Sequence, residues 1–167
     1  MCPLCGMMLI VTTRPAGEQS EDRPTLDALL VRLEQELYAV PSPSVREVAR
    51  YRPLTPVPGA PPALPGILSQ RGTILPVVDP RLLLGLVQSP VTRASRLVIV
   101  SHDDIDMALL VDGVLDLVAL SSDAIEPAPP GLDPTRARMI RGVARYDSQH
   151  VMLLDLSELI AGLRDWT

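Results

Sequence analysis

The sequence predicts an all-β fold, a pair of small barrels or rolled sheets packed together, and three observations lead there. Short apolar runs alternate with polar residues through most of the chain, at lengths that suit strands better than helices. The same motifs occur twice in the same order at a nearly constant spacing. Each copy ends on an aspartate placed to cap a turn of helix.

The clearest stretch is residues 68–86, around which the rest can be ordered. Thr73–Val78 is apolar and largely β-branched apart from Pro76, which suits a short strand with a side chain packing on either face. Asp79-Pro80 then offers a capping carboxylate and a proline at the first helical position, where its missing N–H costs nothing. Residues 81–84 complete one turn, and Gly85 can take the left-handed conformation that ends it.

Upstream, folded structure is expected to begin near Ala28, behind a flexible tail over residues 1–27 in which Thr12–Thr25 is polar and unpatterned. Leu29-Leu30-Val31-Arg32-Leu33 and Leu37-Tyr38-Ala39-Val40 read as two strands joined by a tight turn at Glu34-Gln35-Glu36. Pro41 and Pro43 interrupt the second strand, and Val45-Arg46-Glu47-Val48 resumes it, so this segment is expected to pass from one sheet to another. The six prolines of residues 52–65 imply an extended crossing with a defined path.

The second half repeats this order. Ala39, Val45 and Glu47 match Ala108, Val114 and Asp116 at an offset of 69, and Pro56-x-Pro58 recurs as Pro127-x-Pro129 at 71. Arg71-Gly72 matches Arg141-Gly142 at 70, Asp79 matches Asp155 at 76 and Gly85 matches Gly162 at 77. On this alignment six extra residues fall in a longer hairpin around 145–150. The repeats are residues 28–95 and 96–163, followed by a short C-terminal tail, 164–167.

Composition narrows the function. The net charge is −5 and all 15 cations are arginine, with three tyrosines and one tryptophan. An acidic chain so poor in aromatics lacks the basic, stacking surface that nucleic acid requires. The apolar runs are too short to cross a bilayer and the N-terminus has no signal pattern, so a cytoplasmic location without membrane insertion is expected.

Cys2-Pro3-Leu4-Cys5 has the knuckle spacing of a zinc or rubredoxin-type site, but the chain has no third cysteine and its two histidines, His102 and His150, lie far away. It is half a metal site, and a metal or redox role through Cys2 and Cys5 is the reading from another class. No cofactor is implied. Asp79 and Asp155 do not lie in the Asp-Thr/Ser-Gly turns that would let two carboxylates share a proton. Glu158, three residues after Asp155, has capping-box spacing, so both aspartates are read as caps rather than catalysts. No Ser/His/Asp set or glycine-rich phosphate loop is visible.

Together, Tyr38-Ala39-Val40-Pro41, Val45-Arg46-Glu47-Val48 and the run from Gly66-Ile67 through Arg71-Gly72-Thr73-Ile74-Leu75-Pro76-Val77-Val78-Asp79-Pro80-Arg81 resemble the first half of the CheW family. Leu110-Val111-Asp112-Gly113-Val114-Leu115-Asp116-Leu117-Val118, Ile125-Glu126-Pro127-Ala128-Pro129, Ile140-Arg141-Gly142-Val143 and Leu153-Leu154-Asp155-Leu156 resemble the second. The resemblance spans residues 28–163. It implies two interleaved SH3-like five-stranded barrels without catalysis, an adaptor coupling chemoreceptor signalling tips to the regulatory domain of a CheA-type histidine kinase in the cytoplasm at receptor arrays.

Carried over by position, the resemblance puts Val45, Glu47, Val48 and Arg71 on a receptor-facing surface, and Val114, Leu117 and Gly142 near a groove of the second half. By itself Arg71 would read as a strand arginine pairing locally, and Val45 and Val48 as core. Ser69-Gln70 departs from the family's Asn-Leu ahead of Arg-Gly, and Ala108 stands where glycine is usual, so partner preference can differ. A specialised module that binds only the kinase, or serves a pilus-type system, is the second adaptor reading.

Overall fold

The computed structural model describes residues 24–165; the tail reading for residues 1–23 and the Cys2/Cys5 knuckle lie outside them. Ten strands and three short helices follow in order: β1 (Thr25–Leu33), β2 (Glu36–Pro41), β3 (Val45–Arg50), β4 (Gly66–Gln70), β5 (Thr73–Val78), α1 (Pro80–Leu83), β6 (Arg96–His102), β7 (Ile105–Val111), β8 (Gly113–Ser121), α2 (Pro134–Arg138), β9 (Ile140–Tyr146), β10 (Gln149–Leu154) and α3 (Leu156–Asp165). The first strand opens three residues before the expected Ala28 because Thr25 pairs with Ser121 of β8. At the other end α3 runs through Asp165, so residues 164 and 165 are helix rather than tail.

Two five-stranded sheets result, ordered β8-β1-β2-β10-β9 and β3-β6-β7-β5-β4. Each draws two strands from one half of the chain and three from the other, which is the expected interleaving. The Pro41–Pro43 interruption becomes a single 3-10 turn, Ser42–Ser44, that carries the chain from the first sheet into the second. Proline, unable to donate to a ladder, sits where pairing must stop.

Each sheet rolls until its edges meet. In the second, the segment after β3 closes onto β4, with Thr55 N donating to Ile67 O at 3.0 Å and Ile67 N to Thr55 O at 2.9 Å. In the first, Glu126 and Val143 exchange the same pair of bonds at 2.9 and 2.7 Å. Each barrel encloses its own core, with Leu30, Ala39, Leu120 and Leu153 in one and Leu75, Leu97, Ala108 and Leu110 in the other. A third core between them takes Val31, Tyr38, Val40, Val98, Met107 and Leu109. Central strands are buried on both faces, hence the unbroken apolar run in β1 where antiparallel sheets ordinarily alternate.

The repeat holds, with three corrections. Arg71-Gly72 is the two-residue turn between β4 and β5, both residues at positive φ, and its counterpart is Asp147-Ser148 between β9 and β10. The hairpin turns are therefore equally long and residues 66–78 correspond to 142–154 at an offset of 76, making Gly142 the equivalent of Gly66, not of Gly72. The extra residues number five (76 minus 71), and they fall between Pro129 and Gly142, where the second half builds α2, rather than around 145–150. Gly85 does terminate α1 at φ 75°, but Gly162 lies inside α3, a ten-residue helix instead of one turn.

Asp79 and Asp155 are caps as expected: Asp79 Oδ1 accepts from Arg81 N at 3.1 Å and Asp155 Oδ1 from Glu158 N at 3.1 Å. Asp79 has a second role. The buried Arg81 guanidinium grips both its oxygens at 2.9 Å and reaches Asp112 Oδ1 at 2.8 Å, while Asp112 Oδ2 accepts from Glu34 N at 2.7 Å. One cation thus ties α1 of the second barrel to the β1–β2 turn of the first. Hydrogen bonds to Asp79 raise the Arg81 pKa and outweigh desolvation, so it stays charged.

Candidate functional site

The sequence-derived candidates fall on β3 with the β4–β5 turn, and on β8 with β9. Both β3 and β8 carry a bulge, between Val45 and Glu47 and between Val114 and Asp116. An extra residue reverses the alternation of faces. Val45 and Val114 therefore pack against the core between the barrels, whereas Glu47 and Asp116 turn toward the mouth of their own barrel. Val48 and Leu117, equivalent at offset 69, emerge on the outer face and are 41% and 61% exposed.

At the mouth of the second barrel, Glu47 accepts from Arg71 Nε at 3.1 Å, Arg71 Nη2 at 3.3 Å and Gln70 Nε2 at 3.0 Å. Arg52 completes the chain, donating to Ser69 O at 3.0 Å and to Gln70 Oε1. Arg71 is not the strand arginine that its sequence context suggests. It occupies the turn at φ 52°, its side chain is 78% exposed, and it crosses the barrel seam to the half-buried Glu47. Beside the pair opens a cavity of about 420 Å³ lined by Arg46, Thr73, Leu75, Ile99, Ser101 and Asp106.

The first barrel has a partial copy. Tyr146, equivalent to Gln70, donates from its hydroxyl to Asp116 Oδ2 at 3.1 Å. The counterpart of Arg71 is Asp147, so only the second barrel adds a guanidinium. An acid accepting a hydrogen bond across the seam belongs to the fold, and Arg71 is an addition to it.

Gly142 is buried, and its place is explained by packing: a Cβ there would lie 2.5 Å from Ile125 Cγ2 and 2.8 Å from Glu126 O. It lets the proline-rich segment approach β9 closely. That segment and β9–β10 frame an apolar groove of about 600 Å³ lined by residues including Pro127, Pro129, Val143 and Met152. Val114 and Leu117 do not line it, so the seven candidates do not form one continuous surface.

Two features were missed in the sequence. Ile74, 67% exposed beside the Arg71 turn, extends the apolar outer surface; its alternation with buried Leu75 was the available signal. Second, His102 Nε2 lies 2.7 Å from Ser157 Oγ and 3.5 Å from Asp103 Oδ2. Both partners face the same ring nitrogen, so the serine-to-carboxylate relay of a hydrolase, which uses opposite nitrogens, is not formed. Among the described residues no helix is long and apolar enough to cross a membrane.

Residues 27–164 match the CheW-like domain. The chemotaxis protein CheW of Bacillus subtilis (strain 168) is 26% identical over 123 residues, 74% of this chain and 79% of that protein. Protein FrzA of Myxococcus xanthus is 28% identical over 146 residues, 87% of this chain and 91% of FrzA. The crystal structure of the scaffolding protein TtCheW from Thermoanaerobacter tengcongensis superposes with a TM-score of 0.74 at 28% identity, covering 81% of this chain and 92% of that one.

Proposed function

Because the chain belongs to the CheW-like domain family, we propose that it is a chemosensory adaptor joining a chemoreceptor signalling tip to the regulatory domain of a CheA-type histidine kinase. The receptor-facing surface is centred on Arg71 and Glu47, with Val48 and Ile74 as its exposed apolar contacts. It acts in the cytoplasm, recruited to receptor arrays.

The observation that carries this reading is the asymmetry between the barrels. Both use an acid at the seam, but only the second adds an exposed guanidinium, 78% accessible, that the fold does without at Asp147. A cation held in a fixed direction by a half-buried carboxylate and flanked by exposed Val48 and Ile74 suits an apolar helical hairpin with polar edges. The charge sets register, and the apolar side chains supply burial.

The test is binding of two separate fragments, a receptor tip and a kinase regulatory domain, to the full chain and to its Arg71→Glu variant. Reversal at an exposed position should change stability by less than about 1 kcal/mol. Receptor affinity should fall about tenfold or more while kinase affinity holds. Unchanged receptor affinity would remove Arg71 from the site, and kinase binding without any receptor binding would favour the kinase-only module.

A further inference from the structure

We propose that the second barrel carries a binding site for a phosphate group, built from Arg50, Arg93 and Arg96 at the outer end of β3 and β6. Arg50 and Arg96 are direct partners in the antiparallel β3–β6 ladder. Like charges directly opposite each other destabilise a sheet. Arg93, just ahead of β6, adds a third cation, and none of the three forms an ion pair with a described residue. Arg96 Nη1 instead donates to the carbonyls of Arg93 at 2.6 Å and Ser95 at 2.9 Å. In a chain of net charge −5, this is a local concentration of positive charge without a counter-ion among the described residues.

The other barrel supplies the control. At an offset of 69, Arg50 and Arg96 correspond to Ala119 and Asp27, which are direct partners in the β8–β1 ladder. The same place in the same fold is therefore built from a neutral and an acidic residue. Nothing in the architecture requires two arginines there.

The three arginines, with Tyr51, Thr92 and Ser95, surround an opening of about 470 Å³ that no carboxylate lines. Ser95 Oγ accepts from Thr92 N at 2.9 Å and Thr92 Oγ1 from Ala94 N at 3.1 Å, which leaves each hydroxyl hydrogen to donate. Guanidinium groups pair with phosphate through parallel N–H bonds, and hydroxyls add further donors. Convergence of three cations on one concavity fits a compact multivalent anion, whereas an acidic peptide would need cations spaced along a track.

The site is tested on the full chain by following the arginine Nε–H resonances while inorganic pyrophosphate is added. Saturable shifts at Arg50, Arg93 and Arg96 are expected, unmatched by sodium chloride at equal ionic strength. Arg50→Ala, which copies Ala119 and so suits the fold, and Arg93→Ala should each weaken binding about tenfold. A second arm separates the sources of phosphate. Sedimentation with phosphatidylglycerol vesicles but not phosphatidylcholine vesicles, competed by pyrophosphate, assigns the site to a lipid headgroup; saturable shifts without sedimentation assign it to a soluble phosphate. Shifts no different from those in chloride, or affinity in both alanine variants equal to that of the unaltered chain, overturn the proposal.

Discussion

Glu47 and Asp116 hold equivalent places in the two barrels: each follows a bulge on an edge strand and accepts a hydrogen bond across the seam, from Gln70 at 3.0 Å and from Tyr146 at 3.1 Å. The bond to Asp116, aided by its charge, raises the Tyr146 phenol above its ordinary 10.0. A raised phenol contributes stability that is present below pH 10 and lost as pH rises through the folded value. In Asp116→Asn, the Tyr146 titration followed by ultraviolet absorbance should return toward 10. An unmoved midpoint would mean that the seam bond is absent in solution.

Arg81 is buried against Asp79 and Asp112, and removing one member of such a cluster strands the others. Arg81→Met should lower stability by about 3–5 kcal/mol in urea or guanidinium unfolding. Its counterparts in the repeat are Ser157 for Arg81 and Pro43 for Asp112, so the cluster is a single tie and not a demand of the barrel. A loss under about 1 kcal/mol would show that water reaches the carboxylates.

Gly142→Ala should be destabilising by about 1–3 kcal/mol, since the new methyl group meets Ile125 and the Glu126 carbonyl and the proline-rich segment must lift. Gly66→Ala should behave alike, because its Cβ would lie 2.7 Å from Thr55 O. Parallel losses in thermal unfolding would identify both as seam glycines. If partner binding then falls in Gly142→Ala in step with stability, the glycine shapes the groove and makes no direct contact.

Glu36 faces Arg136 and Tyr38 where the β1–β2 hairpin meets α2. Burial pushes its carboxyl up, but hydrogen bonds from Arg136 and Tyr38 and the Arg136 charge hold it below the ordinary 4.5. A depressed carboxyl contributes stability present above the unfolded value and lost as pH falls through the folded one. Wild type should therefore exceed Glu36→Gln in denaturant midpoint at pH 7, with the difference closing as pH falls through the range below 4.5. A constant difference across that range would rule out the charge as its source.

Much of this was legible in local chemistry. The Glu34-Gln35 turn, the sheet change at Pro41–Pro43, the Asp79 cap and the Gly85 stop depend on dihedral preferences and on hydrogen bonds within a few residues. Exposure of Ile74 was equally legible, through strand alternation, but a continuous apolar run masks which face is inner when both are buried. The offset of 76 could have been extended back to Gly66 and Gly142, which would have put the insertion in α2. Arg-Gly at 71–72 and 141–142 drew the alignment off by six, since a dipeptide carries no record of whether it sits in a turn or a strand.

Fold class, duplication, the hairpins and the caps were determined by sequence alone, because each depends on neighbours close along the chain. Only the tertiary structure decided which sheet each strand joins, that Arg71 crosses a seam to Glu47, that Arg81 is buried between two aspartates, and that Gly142 is a packing residue. Those relations join Arg71 to Glu47, 24 positions apart, Arg81 to Asp112, 31 apart, and Gly142 of β9 to the proline-rich segment at Ile125 and Glu126. Rolling a sheet brings its two edges together whatever their separation in the chain, and no local preference encodes that meeting.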